Sequence, residues 1–419
     1  MTSISVAYNK KGIAIAADSA ATTQSNDGKY KIFNANKIFR LSEDNVGIGI
    51  YQADEIGNIP REIIIDSYRK TLKKKFKKLE EYVYDFIDYV QTSSYIENIK
   101  IEDLMLTYLG LLEKDTTDFI TEKKTEEKGQ LTDEIIANYL SEYFSSKFSP
   151  LLDSIETNGQ LPSYLAKDKG KHLPKCGKIN IDEEIVKNTF RDLITKNNPS
   201  HPLLSYFDSI FRGFLVHLSY TDIMNSFTGL VFVGYGNEEY FPQSFHLITK
   251  FKYSGTLYLT LLKDEDTKKN GYGGVEGYAD SETIQSSVLG YNNNLKALIF
   301  KGADDCVSKI CEKIKTDYNI DVVSDNVSFI KSDIEAIIND YGRDQVQSFF
   351  GAVRNLSIDE LGNVVETLVN MSSFKKRISQ EVETVGGMTD VAVISKGDGF
   401  IWLKKKRYFD KNDNHHFKC

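Results

Sequence analysis

The 419-residue chain is poor in the residues that build cross-links and metal centres. Its four cysteines, Cys176, Cys306, Cys311 and Cys419, have no CxxC or other metal-ligand spacing. They are too sparse for a disulfide framework in a chain this long, so a reducing cytoplasm is the expected location. Six histidines include no HExxH pair, and neither a metal nor another cofactor is expected. No apolar run approaches the ~20 residues that span a bilayer. The first 25 residues carry Lys10, Lys11 and Asp18 where a signal peptide has its apolar stretch, so neither membrane nor export is expected. Excess positive charge is missing too. With 60 acidic against 52 basic side chains the net charge is -8, which offers a phosphate backbone no attraction, and nucleic acid is not an expected partner. Proline is scarce, and five of the seven (Pro150, Pro162, Pro174, Pro199 and Pro202) fall in one loop-rich span with Gly159, Gly170 and Gly177.

What the chain does have is apolar and aromatic mass: 41% apolar residues, with 24 Tyr and 24 Phe, the balance of a folded protein. Ile4, Val6 and Tyr8 alternate with small residues. The turn residues Asn9 to Gly12 follow, and then Ile13 to Ala17, apolar on both faces, which predicts a hairpin entering a buried sheet. A second hairpin is expected from Lys37 to Leu41 and Val46 to Tyr51. From Pro60 the pattern becomes helical: Arg61 to Gln91, Ile101 to Lys123, Thr132 to Phe148 and Tyr206 to Phe227. Strands return at Leu230 to Gly236, Ser244 to Tyr253 and Thr256 to Leu262. Helices follow at Ala297 to Thr316, Asp333 to Phe350 and Ser357 to Ser373, then a last hairpin from Asp390 to Ser395 and Phe400 to Leu403. Strand-rich blocks bracketing helices predict two stacked sheets with outer helices. The expected division is a layered domain at 2–56 and 206–419 with a helical, loop-rich insertion at 57–205.

For chemistry, Thr2 stands first. Removal of Met1 would leave its hydroxyl within reach of a free amine that can act as its base, with a reference pKa of about 7.7 to 8.0. Asp18 ends a buried run and needs a partner, and Lys37 opens the next hairpin, where a cation would favour the neutral amine. The basic run from Arg69 to Lys78 precedes Glu80, Glu81 and Asp85 and reads as a solvated helix face. Gly271-Tyr272-Gly273-Gly274 lacks the setting of a phosphate loop and reads as a flexible turn.

These segments (Thr2 to Val6, Gly12 to Ser19, Lys37 to Leu41 and Val46 to Ile50) resemble the start of proteasome β subunits and bacterial HslV-type peptidases, which are N-terminal nucleophile hydrolases. Val231 to Gly236 and Val385 to Ile394 are similar to later strands of that family. The resemblance implies an α+β fold, a four-layer α-β-β-α sandwich, and a threonine peptidase with Thr2 as nucleophile and Asp18 and Lys37 completing the core site. It further implies an oxyanion N–H at Gly49, or at Ile50 or Tyr51 in a shifted register, and a supporting hydroxyl at Ser281, with Tyr278 as its alternate. Glu381, Glu383 and Thr384 stand where the family has a supporting Asp and Ser. The implied partners are a peptide or unfolded-protein substrate and further copies of the chain in a homo-oligomer, with an ATPase partner left open and no cofactor. Two other readings compete: hydrolysis of a small amide on the same fold, and a catalytically silent scaffold.

Overall fold

The computed structural model describes residues 3–25, 28–32, 34–42, 45–53, 55–127, 183–196, 227–253, 255–267, 271–279, 281–320, 328–378 and 386–407, with isolated positions between 204 and 214. Strands β1 (Ser3–Asn9) and β2 (Gly12–Ala17) form the first hairpin, followed by β3 (Ala21–Ser25), β4 (Gly28–Ile32), β5 (Ile38–Arg40) and β6 (Val46–Gln52). The short pair β7 (Glu55–Ile56) and β8 (Ile59–Pro60) leads into helices α1 (Arg61–Thr71), α2 (Leu79–Thr92) and α3 (Ile101–Glu127). After α4 (Glu183–Thr195) come β9 (Thr228–Gly234), β10 (Gln243–Tyr253), β11 (Thr256–Asp266) and β12 (Gly273–Ala279). Helices α5 (Glu282–Leu289), α6 (Asn293–Tyr318), α7 (Ser328–Val353) and α8 (Ile358–Ile378) precede the closing hairpin β13 (Asp390–Ser395) and β14 (Gly399–Lys404).

Two antiparallel five-stranded sheets carry the architecture, ordered β12-β1-β2-β13-β14 and β11-β10-β9-β6-β5, which makes the chain α+β. Alternation along each strand splits the side chains between two faces. Ile4, Val6, Ile13 and Ile15 of the first sheet meet Val231 and Val233 of the second in a core between the sheets. Ala7, Ala14 and Ala16 point the other way, and their small side chains let Leu361, Val365 and Val369 of α8 pack close against the first sheet. The outer face of the second sheet, with Ile48, Leu230, Phe232 and Leu247, is covered by α1 and α2. Helices therefore lie on both outer faces. No helix among the described residues is long and apolar enough to cross a membrane.

Several elements differ from the sequence reading. The single helix expected over 61–91 is two helices, because the link between them is held by another part of the chain: Asn237 N donates to Phe76 O, Glu238 N to Lys77 O, and Glu239 accepts from Leu79 N. Hairpin β3–β4 and helix α5 carry too little periodic apolar signal to be read. The turn expected at 271–274 is present at Gly271 (φ 70) and Tyr272 (φ 69), but Gly273 and Gly274 already belong to β12, where a Cβ on Gly274 would lie 2.5 Å from the Tyr8 hydroxyl. Helices α1 and α2, inside the segment read as an insertion, supply a layer over the second sheet. A separate cluster joins Leu104 and Tyr108 of α3 and Phe190 of α4, from the later part of that segment, to Phe207, Phe211 and Phe214, which lie beyond its expected end at 205. The helix expected at 132–148 lies outside the described residues.

Candidate active site

The site starts where β2 runs out. Asp18 follows the buried Ala17 and is 1% exposed, which a carboxylate tolerates only when its lone pairs are filled. Four donors fill them. Oδ1 accepts from Ser3 N at 2.9 Å and Lys37 Nζ at 2.8 Å, and Oδ2 accepts from Gly386 N at 3.0 Å and Ala20 N at 3.2 Å. Three separate parts of the chain thus converge on one side chain: the first strand, the residue that opens β5, and the Gly386-Gly387 turn before β13. Lys37 is 5% exposed and donates also to Ala20 O, fixing the loop after Asp18. Burial pushes the Lys37 ammonium below the ordinary lysine range. The Asp18 charge and hydrogen bond oppose this, and the nearby Lys406 cation adds to it.

Asp18 and Lys37, predicted as a pair, are brought together as one. Thr2 lies outside the described residues, as do Glu381, Glu383 and Thr384; its bonded neighbour Ser3 is the residue whose N–H reaches Asp18. The Ser3 and Ser19 hydroxyls on either side of the pair are buried, with no hydrogen-bond partner among the described residues. Such groups are uncommon in folded interiors and mark places where a polar group is held for other reasons than packing.

Gly49 occupies a different position from the one expected of an oxyanion donor. It is paired on both sides, opposite Ile38 and opposite Val231. Ile50 N donates to Lys37 O at 2.8 Å, so by strand alternation the Gly49 N–H turns towards Val231 in the ladder. What the structure asks of Gly49 is thinness: a Cβ there would lie 2.9 Å from Ile15 Cδ1 in the core between the sheets. Ser281 follows Ala279, the ladder partner of Ser3, by two residues. It precedes α5, and its hydroxyl accepts from Gln285 Nε2 at 3.2 Å. The alternate Tyr278 points between the sheets and donates to Glu276 Oε2 at 3.0 Å.

Three features were missed from sequence. Non-glycine residues with left-handed backbone gather around this end of the sheets: Asn34 (φ 84) before Lys37, Gln52 (φ 72) ending β6, and Ala279 (φ 64) opposite Ser3. Strain of this kind is retained where the surroundings over-determine it, commonly at functional sites. The Tyr51 hydroxyl meets His246 Nε2 at 2.6 Å, and the His246 ring packs edge-on to Tyr278 with centroids 4.7 Å apart. Nothing in the order of residues announces a contact spanning 195 positions; Gly229, over which the Tyr51 ring lies, is its sole trace. The third is Lys406, bonded to Asp390 next to the Asp18 pair; the run Lys404 to Arg407 was a visible signal.

Among the described residues no three His, Cys, Asp or Glu side chains converge as a metal site requires. Comparison of the chain with known family models and with curated proteins finds no match. The site is therefore read from its own chemistry.

Proposed function

We propose that the chain is an N-terminal nucleophile hydrolase with the α-β-β-α arrangement of that class, acting on peptide bonds through Thr2 after loss of Met1. The observation that carries this reading is the buried Asp18–Lys37 pair bonded to the N–H of Ser3. A threonine that begins the chain one residue earlier has its amine within a residue of a buried cation, which favours the neutral, basic form of that amine. The Thr2 hydroxyl then attacks the substrate carbonyl carbon while its proton passes to the amine. The amine returns that proton to the leaving nitrogen as the C–N bond breaks, and water cleaves the resulting ester. Asp18, ionised, holds Lys37 and the start of β1 in place. The proposal draws no oxyanion donor from Gly49 or Ile50, whose N–H groups face neighbouring strands. Assembly into an oligomer that encloses the site belongs to the same reading.

The test is mass spectrometry of protein from its native cell, before and after a β-lactone or epoxyketone probe. The expected result is loss of one Met and an adduct on the N-terminal peptide that disappears in Thr2→Ala. Uniformly Met-bearing protein, or an adduct that persists in Thr2→Ala, overturns the proposal. Light scattering should show an oligomer, whereas a strict monomer would favour hydrolysis of a small amide over an enclosed peptidase.

A further inference from the structure

A second buried lysine–aspartate pair adjoins the first. Asp390 opens β13 and lies opposite Ala17, the residue before Asp18. Pairing of Val391 with Lys404 brings the segment that follows β14 back to Asp390. There the Lys406 N–H donates to Asp390 Oδ1 at 2.8 Å and its Nζ donates to Oδ2. The two side chains are 4% and 3% exposed, as closed to water as the Asp18–Lys37 pair. Asp18 and Asp390 thus sit on adjacent strand ends, each with its own lysine, one delivered by β5 and the other by the segment after β14.

We propose that Lys406 and Asp390 are positioning residues of the candidate site, the docked segment 404–407 supplying a second cation whose field acts on both Lys37 and the N-terminal amine. This deepens the reading of Thr2 as nucleophile and rests on it. A tether alone has no need of charge. An apolar side chain could anchor the segment without the desolvation that a buried ion pair costs. A charge that close, by contrast, acts on every titrating group nearby, and Lys406 is among the groups that lower the proton affinity of Lys37, after burial itself. The charged groups facing the cluster are Asp18 and Lys37, Asp390 and Lys406, Lys405 and Arg407 on the same segment, and Arg69 from α1. Lys406 and Asp390 oppose each other in this field, so removing either one alone should move Lys37 in opposite directions.

The experiment follows the Lys37 titration by NMR of full-length chain labelled at lysine, together with the pH profile of probe labelling at Thr2. In Lys406→Met the unpaired Asp390 carboxylate should raise the Lys37 pKa by roughly one unit, a tenfold change in proton affinity, and move the acidic limb of labelling to higher pH. In Asp390→Asn the unpaired Lys406 should move both downwards. The double variant Lys406→Met/Asp390→Asn should return both towards wild type. A purely structural tether would lower the unfolding midpoint in all three and leave the titration and the limb where they were, which overturns the proposal. Should Lys406→Met fail to fold, the opposite-signed Asp390→Asn and the neutral double variant carry the same test. A Lys37 titration that moves while the labelling limb does not also overturns it. Wild-type protein that is never labelled at Thr2 sinks the nucleophile reading itself, whereas an unmoved Lys37 in labelled protein sinks the second pair alone.

Discussion

Asp18 joins more of the chain than any other polar residue of the site, since β1, β5 and the turn before β13 all meet on its two oxygens. Breaking a buried pair from one side leaves the other charge unpaired, so Lys37→Met should lose about 3 to 5 kcal/mol in urea unfolding. Lys37→Met/Asp18→Asn should recover part of that loss, because the two positions are directly coupled. The same pair has a pH signature. The folded pKa of Lys37 lies below its unfolded value, which is about 10.4. Between those two values the folded protein holds fewer protons, so this group's contribution to stability rises with pH across that window. The slope of unfolding free energy against pH should therefore be more positive in wild type than in Lys37→Met. An equal slope in the two would show that Lys37 is not depressed.

Elements show how packing overrides local pattern. Strand β9 has no side chain at Gly229 because the Tyr51 ring of β6 crosses it: a Cβ there would lie 2.0 Å from the ring. Gly229→Ala should expel that ring, break the Tyr51–His246 contact, and cost about 1 to 3 kcal/mol as overpacked cores do. Near-UV circular dichroism and urea unfolding would register both effects, and unchanged spectra would mean that the ring does not lie there. The break between α1 and α2 has a similar origin. Its lysine-rich residues, helical by propensity, give up helix hydrogen bonds for backbone contacts with the 236–239 turn. Such contacts leave no periodic mark near residue 75, which is why one continuous helix was the natural reading.

At the scale of the molecule the layers depend on one another. Helices α1 and α2 cover Ile48, Leu230, Phe232 and Leu247, so deletion of 61–92 should abolish cooperative unfolding even though both sheets keep every strand. Retention of a sharp thermal transition by that deletion would refute the layered account. The cluster of α3 and α4 has its own aromatic core, so Phe190→Ala should weaken that region by about 3 to 5 kcal/mol. Hydrogen exchange should report the loss there, with β1 and β2 still protected. Helix α6 has no buried residue along its length and touches α7, where Lys296 Nζ donates to Asn339 Oδ1 at 3.1 Å.

The strands that form the two sheets were largely legible because their apolar alternation is local and strong. Ile4 to Tyr8, Ile13 to Ala17, Val46 to Tyr51 and Asp390 to Ser395 each became strands near the expected bounds. Asp18 and Lys37 were legible for a related reason: charge at the end of a buried run must find a partner, and only a few positions can supply one. What order alone left open was decided by approach of distant parts. Gly274 makes a strand where glycines suggest a turn, because the Tyr8 hydroxyl needs the room. Gly49 lies inside a ladder that fixes the direction of its N–H, and that direction depends on which strands flank β6. The meeting of Lys406 with Asp390 depends likewise on the register of β14 on β13 and on the adjacency of β13 and β2. Local periodicity sets which face of a strand is apolar. Which strand lies beside which, and therefore which charges meet, is settled only when the sheets close on each other and exclude water.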